Sequence, residues 1–269
     1  MMRKLSVVGM GTATMGGILL TASVAGAQSQ GFGERGQLVF SADRLVPVLS
    51  FTGNKITNNN GNPNVSVSTS GSALSLLWGN NSVVSGGGGG LTDAGNSTFY
   101  TTPRVGFDYV FMPNWTIGGD LFVFFTLGGS TTTQTGNVSA TTDNPSGNAF
   151  GIAPRIGYVF GINNIFSFWL RGGVSFNHAG TSTPSNVCNN QSDTTSVSVF
   201  GLDIDPQFVI APSAHFAFTA GPAIDIGFAG SASSSTPGGN PNNCNTTTTV
   251  SDGYSSYNVG LTGGLMGWF

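Results

Sequence analysis

The chain has 269 residues, and only 7% of them are charged, against about 25% in ordinary soluble domains. It contains 42 glycines and 20 phenylalanines and carries a formal net charge of −3. There is no basic run beyond the first few residues, which argues against a nucleic-acid partner. After those first residues and the apolar stretch that follows them, no run approaches the roughly 20 apolar residues of a membrane helix.

The opening reads as a leader. Met1-Met2-Arg3-Lys4 is short and basic, Leu5 to Val24 is apolar and small, and Ala25-Gly26-Ala27 has the A-x-A pattern. This is the layout of a secretory signal peptide, residues 1–27, with cleavage expected before Gln28 and one domain over 28–269.

The first strand is expected from Gln37 to Phe51, with an irregular centre at Asp43-Arg44 that suggests a bulge. A stretch rich in Asn, Ser and Gly follows from Thr52 to Ser97, and is expected to be an external loop. Within it, Ala73 to Trp78 reads as a short extension above the membrane rather than a spanning strand. The run Gly86 to Gly90 has no following Lys and opens no helix, so it reads as loop and not as a phosphate cradle.

The clearest pattern is the hairpin Arg104 to Leu127. Val105, Phe107, Tyr109 and Phe111 share one phase, and Arg104, Gly106, Asp108 and Val110 the other. After Met112-Pro113-Asn114 the alternation resumes, with Trp115, Ile117, Leu121, Val123, Phe125 and Leu127 on one face. Successive side chains of a strand point to opposite faces, so this hairpin has one large aromatic face and one of Gly, Thr and a few charges. A soluble sheet would turn the aromatic face inward. An inside-out barrel turns it to lipid.

Further hairpins follow. Phe150–Phe160 is expected to pair with Ile165–Phe176, and Val197–Ile210 with Phe216–Phe228. Tyr254–Phe269 is the last strand. Polar loops are expected at Ser130–Ser146, Asn177–Thr195 and Ala229–Gly253. The short turns all fall within hairpins and the long loops between them. The expectation is therefore an all-β, eight-stranded, antiparallel up-and-down transmembrane β-barrel, with short periplasmic turns and long external loops.

Charges and aromatics support that phase. Arg104, Asp108, Asp120, Arg155, Arg171, Asp203, Asp205 and Asp225 all lie opposite the aromatic phase. On the lipid face an Arg at mid-membrane costs about 2–4 kcal/mol, so this phase marks the lumen. A barrel of eight strands has an interior that side chains fill, and the expected core is an ion network. Phe111, Trp115, Tyr158, Phe160, Phe166, Phe208, Phe216 and Phe269 cluster at the short-turn ends. Phe99, Phe125, Phe150, Phe176, Phe228 and Tyr257 sit at the other ends, giving two girdles.

In the last strand Tyr257, Val259, Leu261, Leu265 and Phe269 share one phase, and the sequence ends on Phe269. This looks like the assembly signal of bacterial outer-membrane proteins. The mature chain resembles the small eight-stranded barrels of the OmpA/OmpX type, a resemblance of architecture. The stretches Gly36–Val46 and Thr101–Tyr109 also look like those of outer-membrane barrels from delta-proteobacteria. The resemblance implies an outer-membrane location, lipid and the assembly machinery as partners, and no cofactor. No peptidoglycan-binding domain follows Phe269, so a wall-anchoring role is not implied.

Cys188 and Cys244 fall in two polar loops on the same side, in a chain exported through an oxidising compartment, so a disulfide between them is expected. No His or carboxylate spacing supports a metal pair there. Catalytic constellations are nearly absent. Asp203 and Asp205 face the same way, but three arginines share their lumen and favour a structural network. His178, with Asp193 and nearby serines, is weak support for rim catalysis, and an enzyme is not expected. Two function classes stand: a structural or surface-interaction barrel that displays its loops to an unknown external ligand, and a narrow passive pore.

Overall fold

The computed structural model describes residues 31–59, 66–76, 102–135, 138–185, 191–238, 244 and 247–269. The expected signal peptide and Phe99 lie outside these residues.

The strands are β1 (Leu38–Asn59), β2 (Ser66–Leu76), β3 (Arg104–Met112), β4 (Trp115–Thr126), β5 (Gly129–Thr135), β6 (Val138–Asn144), β7 (Ser146–Gly161), β8 (Phe166–Pro184), β9 (Ser192–Ser213), β10 (Phe216–Pro237) and β11 (Thr247–Trp268). The order β11-β10-β9-β8-β7-β4-β3-β1 is antiparallel throughout, and β11 pairs with β1 to close the ring. These are the eight expected strands. Leu38 and Phe269 exchange backbone hydrogen bonds of 3.0 Å each at the seam.

Three short turns connect β3 to β4 at Pro113, β7 to β8 at Asn163 and β9 to β10 at one end; the last is only Ala214-His215, because β9 runs on through Pro212 to Ser213. Side chains alternate along each strand, and the burial is inverted relative to a soluble barrel. Ile117 and Val123 are over half exposed outside, while Asp108, Arg104 and Arg171 are almost wholly buried inside. This inversion is what lipid outside and a packed lumen inside demand. The chain has the architecture of an eight-stranded antiparallel β-barrel with an apolar outer wall and a charged lumen.

The strands outrun their expected limits. β8, β9, β10 and β11 continue well into the segments Asn177–Thr195 and Ala229–Gly253 that were expected to be loops, and β5 pairs with β6 inside Ser130–Ser146. Polar Ser/Thr strands wet on their outer face carry no apolar alternation, although Thr favours strand, so the period-2 signal fades where the outer face turns from apolar to polar. The first strand likewise runs to Asn59, and its upper half pairs with β2 from Leu49↔Leu76 to Asn59↔Ser66. Ala73–Leu76 is thus the end of an extension strand, and Leu77 and Trp78 lie outside the described residues.

The irregularity at Asp43-Arg44 is a bulge. Between Ala42 and Val46 β1 advances four residues while β11 advances two, from Leu265 to Gly263. Arg44 has φ +56°, a left-handed conformation. The break in alternation lets two consecutive residues, Asp43 and Arg44, both point into the lumen.

Candidate functional site

The centre of the lumen is a charged layer to which most ring strands contribute. Arg155 on β7 reaches across to Asp108 on β3 (Nη2–Oδ2 2.6 Å), Asp43 on β1 (2.9 Å) and Asp120 on β4 (3.0 Å). Arg171 on β8 meets Asp43 at 3.0 Å and also pairs with Asp205 on β9. Arg104 on β3 binds Asp203 at 2.7 Å and Asp120 at 3.2 Å. Arg44 donates to both oxygens of Asp225 at 2.9 Å and to Asp203. The eight sequence-picked residues are therefore joined with Asp43 and Arg44 in one continuous network.

Neutral groups complete it. Ser41 donates to Asp43 (2.9 Å), Asn258 to Asp225 (2.9 Å) and Gln207 to Asp205. Buried charges need such hydrogen bonds as well as countercharges. At Gly106 a guanidinium head takes the room that a side chain would fill. A Cβ on Gly106 would come within 2.6 Å of Arg155 Nη2 and closer still to Ser41 Oγ.

Apolar layers close the network on both sides. Toward the long-loop end lie Phe122, Ala149, Ala179, Val197, Val199 and Tyr254. Toward the short turns lie Val110, Val159, Trp169, Val209, Met266 and Trp268. Aromatic faces meet the charges directly. Arg171 stands 4.5 Å over the Trp169 ring, and Arg104 5.6 Å over Phe122. Within the charged layer, a cavity of about 10 Å³ is lined by residues that include Asp120, Arg155, Arg171, Asp203 and Asp205. That is room for a single water. Arg171, whose Nε meets no protein acceptor, is one of its walls.

A cork sits under the short-turn end. Residues Gly31 to Gln37 fold back beneath the ring, with Phe32 packed edge-on to Trp169 (5.1 Å between ring centroids) and tilted on Trp268 (5.5 Å). Gln37 holds the turn: its Oε1 accepts from Gly33 N at 2.9 Å and Glu34 N at 3.1 Å, and its Nε2 donates to Gly31 O at 2.9 Å. Gly36 N donates to Val110 O and Asn114 N to Gly33 O, each at 2.8 Å. Seven residues without periodicity gave no sign of this in the sequence. The one available signal was a lone Phe among glycines.

The remaining candidates are not brought together. His178 lies on the outward phase beside Phe150, and its Nδ1 is 2.8 Å from Ser198 Oγ. Asp193 lies on the inward phase of β9, so His178 and Asp193 form no catalytic pair. Cys188 lies outside the described residues. Its neighbours do reach the other loop, where Gln191 Nε2 donates to Cys244 O at 2.7 Å. In the last strand Tyr257, Val259, Leu261 and Phe269 face outward, with Phe269 stacked on His215.

No family model matches the chain, and no curated protein is similar to it. Among solved structures it is similar to OprG, an outer membrane protein of Pseudomonas aeruginosa, at 11% identity and a TM-score of 0.41, covering 88% of this chain and 97% of that one. It is also similar to Ail, the attachment invasion locus protein of Yersinia pestis, at 12% identity and a TM-score of 0.32, over 88% of this chain and all of that one. A complex of Ail with the heparin analogue sucrose octasulfate gives 12% and 0.33.

Proposed function

We propose that the protein is a bacterial outer-membrane barrel with a structural or surface-interaction role, exported by residues 1–27 and closed to flow. The observation that carries this reading is the layered lumen: ten paired charges held between two apolar layers, with Phe32 beneath them. Its partners are outer-membrane lipid along the exposed apolar wall and the assembly machinery through Tyr257, Val259, Leu261, Leu265 and Phe269. The long-loop end is external and offers its surface to a ligand.

A disulfide between Cys188 and Cys244 belongs to this reading. The contact between Gln191 and Cys244 supports it, because it holds the two loop tips together three residues from Cys188.

Planar bilayers containing the purified protein test the closed lumen. The expected trace is flat, and stable, reproducible conductance steps would establish the narrow-pore alternative instead.

A further inference from the structure

The outward face of β8–β11 changes character over a single residue step. Phe200, Phe228 and Tyr257 form the upper aromatic edge, each well exposed, with Phe176 packed 4.7 Å from Phe200. The next outward row, linked by strand register, is His178, Ser198, Ser231 and Gly253. Above it come Gly180, Ser196, Ser233 and Ser251, and then Ser182, Thr194, Ser235 and Thr249. The bulge between Gly227 and Gly230 in β10 makes the rows continuous, because it turns Ser231, Ser233 and Ser235 outward while Ala232 stays buried.

Apart from the imidazole of His178, none of these outward positions carries an acidic or basic group. The collar's two carboxylates, Asp193 and Asp252, are on the inward phase. Of the six basic residues beyond position 30, four are in the lumen, Arg35 is at the opposite end, and Lys55 on β1 is the one at this level. A water-facing surface ordinarily carries roughly a quarter to a third charged residues. This face therefore offers little to a polyanion or a polycation, the one nearby ammonium being Lys55, across from Ser255 at its β11 margin.

It offers hydroxyls. They repeat at about 4.8 Å across strands and about 6.8 Å along them. Ser196 and Ser233 are 2.8 Å apart, and Thr249 donates to Ser235 at 3.4 Å. Each hydroxyl has one donor and two acceptor sites, so such pairs leave further bonds open. Aromatic rings directly below can take the apolar face of a ring-shaped ligand.

From this geometry we infer that the outward face of β8–β11 is a contact surface for the uncharged sugars of outer-leaflet glycolipid. The occupant is membrane-borne because the face continues the lipid-facing wall. Three rows at about 5 Å of height each, for strands tilted near 40°, cover the first 15 Å or so above the aromatic edge. The inference rests on the outer-membrane reading.

Amide hydrogen exchange on the full chain in nanodiscs tests it, with three lipid compositions: phosphatidylcholine, added lipid A, and added lipopolysaccharide bearing a neutral sugar chain. The expected result is exchange slowed about tenfold over 179–184, 192–199, 229–237 and 247–256 with the sugar-bearing lipid alone. The slowing should disappear in Ser196→Ala/Ser233→Ala, whose barrel should still show its folded gel mobility. Equal slowing with lipid A, no slowing despite insertion, or equal slowing by soluble polysaccharide would each overturn the proposal. Failure to insert into any of the discs would instead overturn the outer-membrane reading.

Discussion

Arg155 is the residue on which most of the lumen converges, since it alone joins Asp43, Asp108 and Asp120. Removing one partner of a buried network leaves uncompensated charge and costs about 3–5 kcal/mol, less where water enters. Arg155→Ala is expected to lower the unfolding midpoint in detergent, whereas Lys55→Ala, on an exposed side chain, is not. Arg44 allows a finer test, because its pairs and its strain can be separated. Arg44→Ala loses the contacts to Asp203 and Asp225 and keeps the left-handed φ of 56°. Arg44→Gly loses the same contacts without that strain, and should be the more stable variant by about 1 kcal/mol. Equal midpoints would mean that the backbone relaxes once the pairs are gone. Eight of the ten network residues were legible from phase alone, because the cost of a charge in lipid fixes the face it takes. Asp43 and Arg44 were legible only as an irregularity. A bulge breaks the very period by which a residue's face is read, so their inward turn could not be seen.

At the scale of elements, legibility followed chemistry outside the barrel more than strand propensity. Where lipid bathes the outer face, alternation was sharp and the strand ends near Phe111 and Phe160 were placed to within a residue, whereas β9 runs three residues past Ile210. Where the outer face turns to Ser and Thr, as in Thr194 to Ser196 or Ser231 to Ser235, the sequence reads as loop although the ladder continues. Phe122 and Trp169 were also missed as core, since an aromatic on the charged phase runs against the rule that sorted everything else. The cork is the element that leaves the most to measure. Phe32 is half-buried against two tryptophans, so Phe32→Ala is expected to cost about 1–2 kcal/mol. It should also shift the fluorescence of Trp169 and Trp268 toward longer wavelength as water reaches them. Gln37→Ala removes three hydrogen bonds to the same turn and should reproduce the shift. Unchanged emission in both variants would show that the cork does not seal the tryptophans. The loop tips supply a second element-scale test. On non-reducing gels the unfolded chain should run faster than on reducing gels, and Cys188→Ser should abolish the difference. Equal mobility would mean free thiols.

For the whole molecule, the decisive quantity is how the two ends of the ring are assigned to the two sides of the membrane. Closure between β1 and β11 leaves no strand edge on that seam, and Leu38 at the start of β1 meets Phe269 there at the short-turn end. Barrels of this kind keep their short turns on the periplasmic side, where the chain enters the membrane, and their longer loops outside. The opposite end carries long Ser/Thr strands, the β5–β6 ribbon and the carboxylates Asp193 and Asp252, which an exported chain entering from the periplasm must carry across to display them outside. Each unpaired charge carried to mid-membrane costs up to a few kcal/mol, and each exposed backbone group adds to it. On the asymmetry of turn and loop lengths the long-loop end is expected to be external, and the low charge of its strands keeps the cost of carrying it across small. Single cysteines at Thr132 and Ser235, in a chain with both native cysteines replaced by serine, should react with a membrane-impermeant maleimide on intact cells. A cysteine at Asn163 or Pro212 should react only after the outer membrane is permeabilised. The reverse pattern would invert the barrel. The cork would then lie under the external face, and the hydroxyl collar would face the periplasm, where no outer-leaflet glycolipid can meet it.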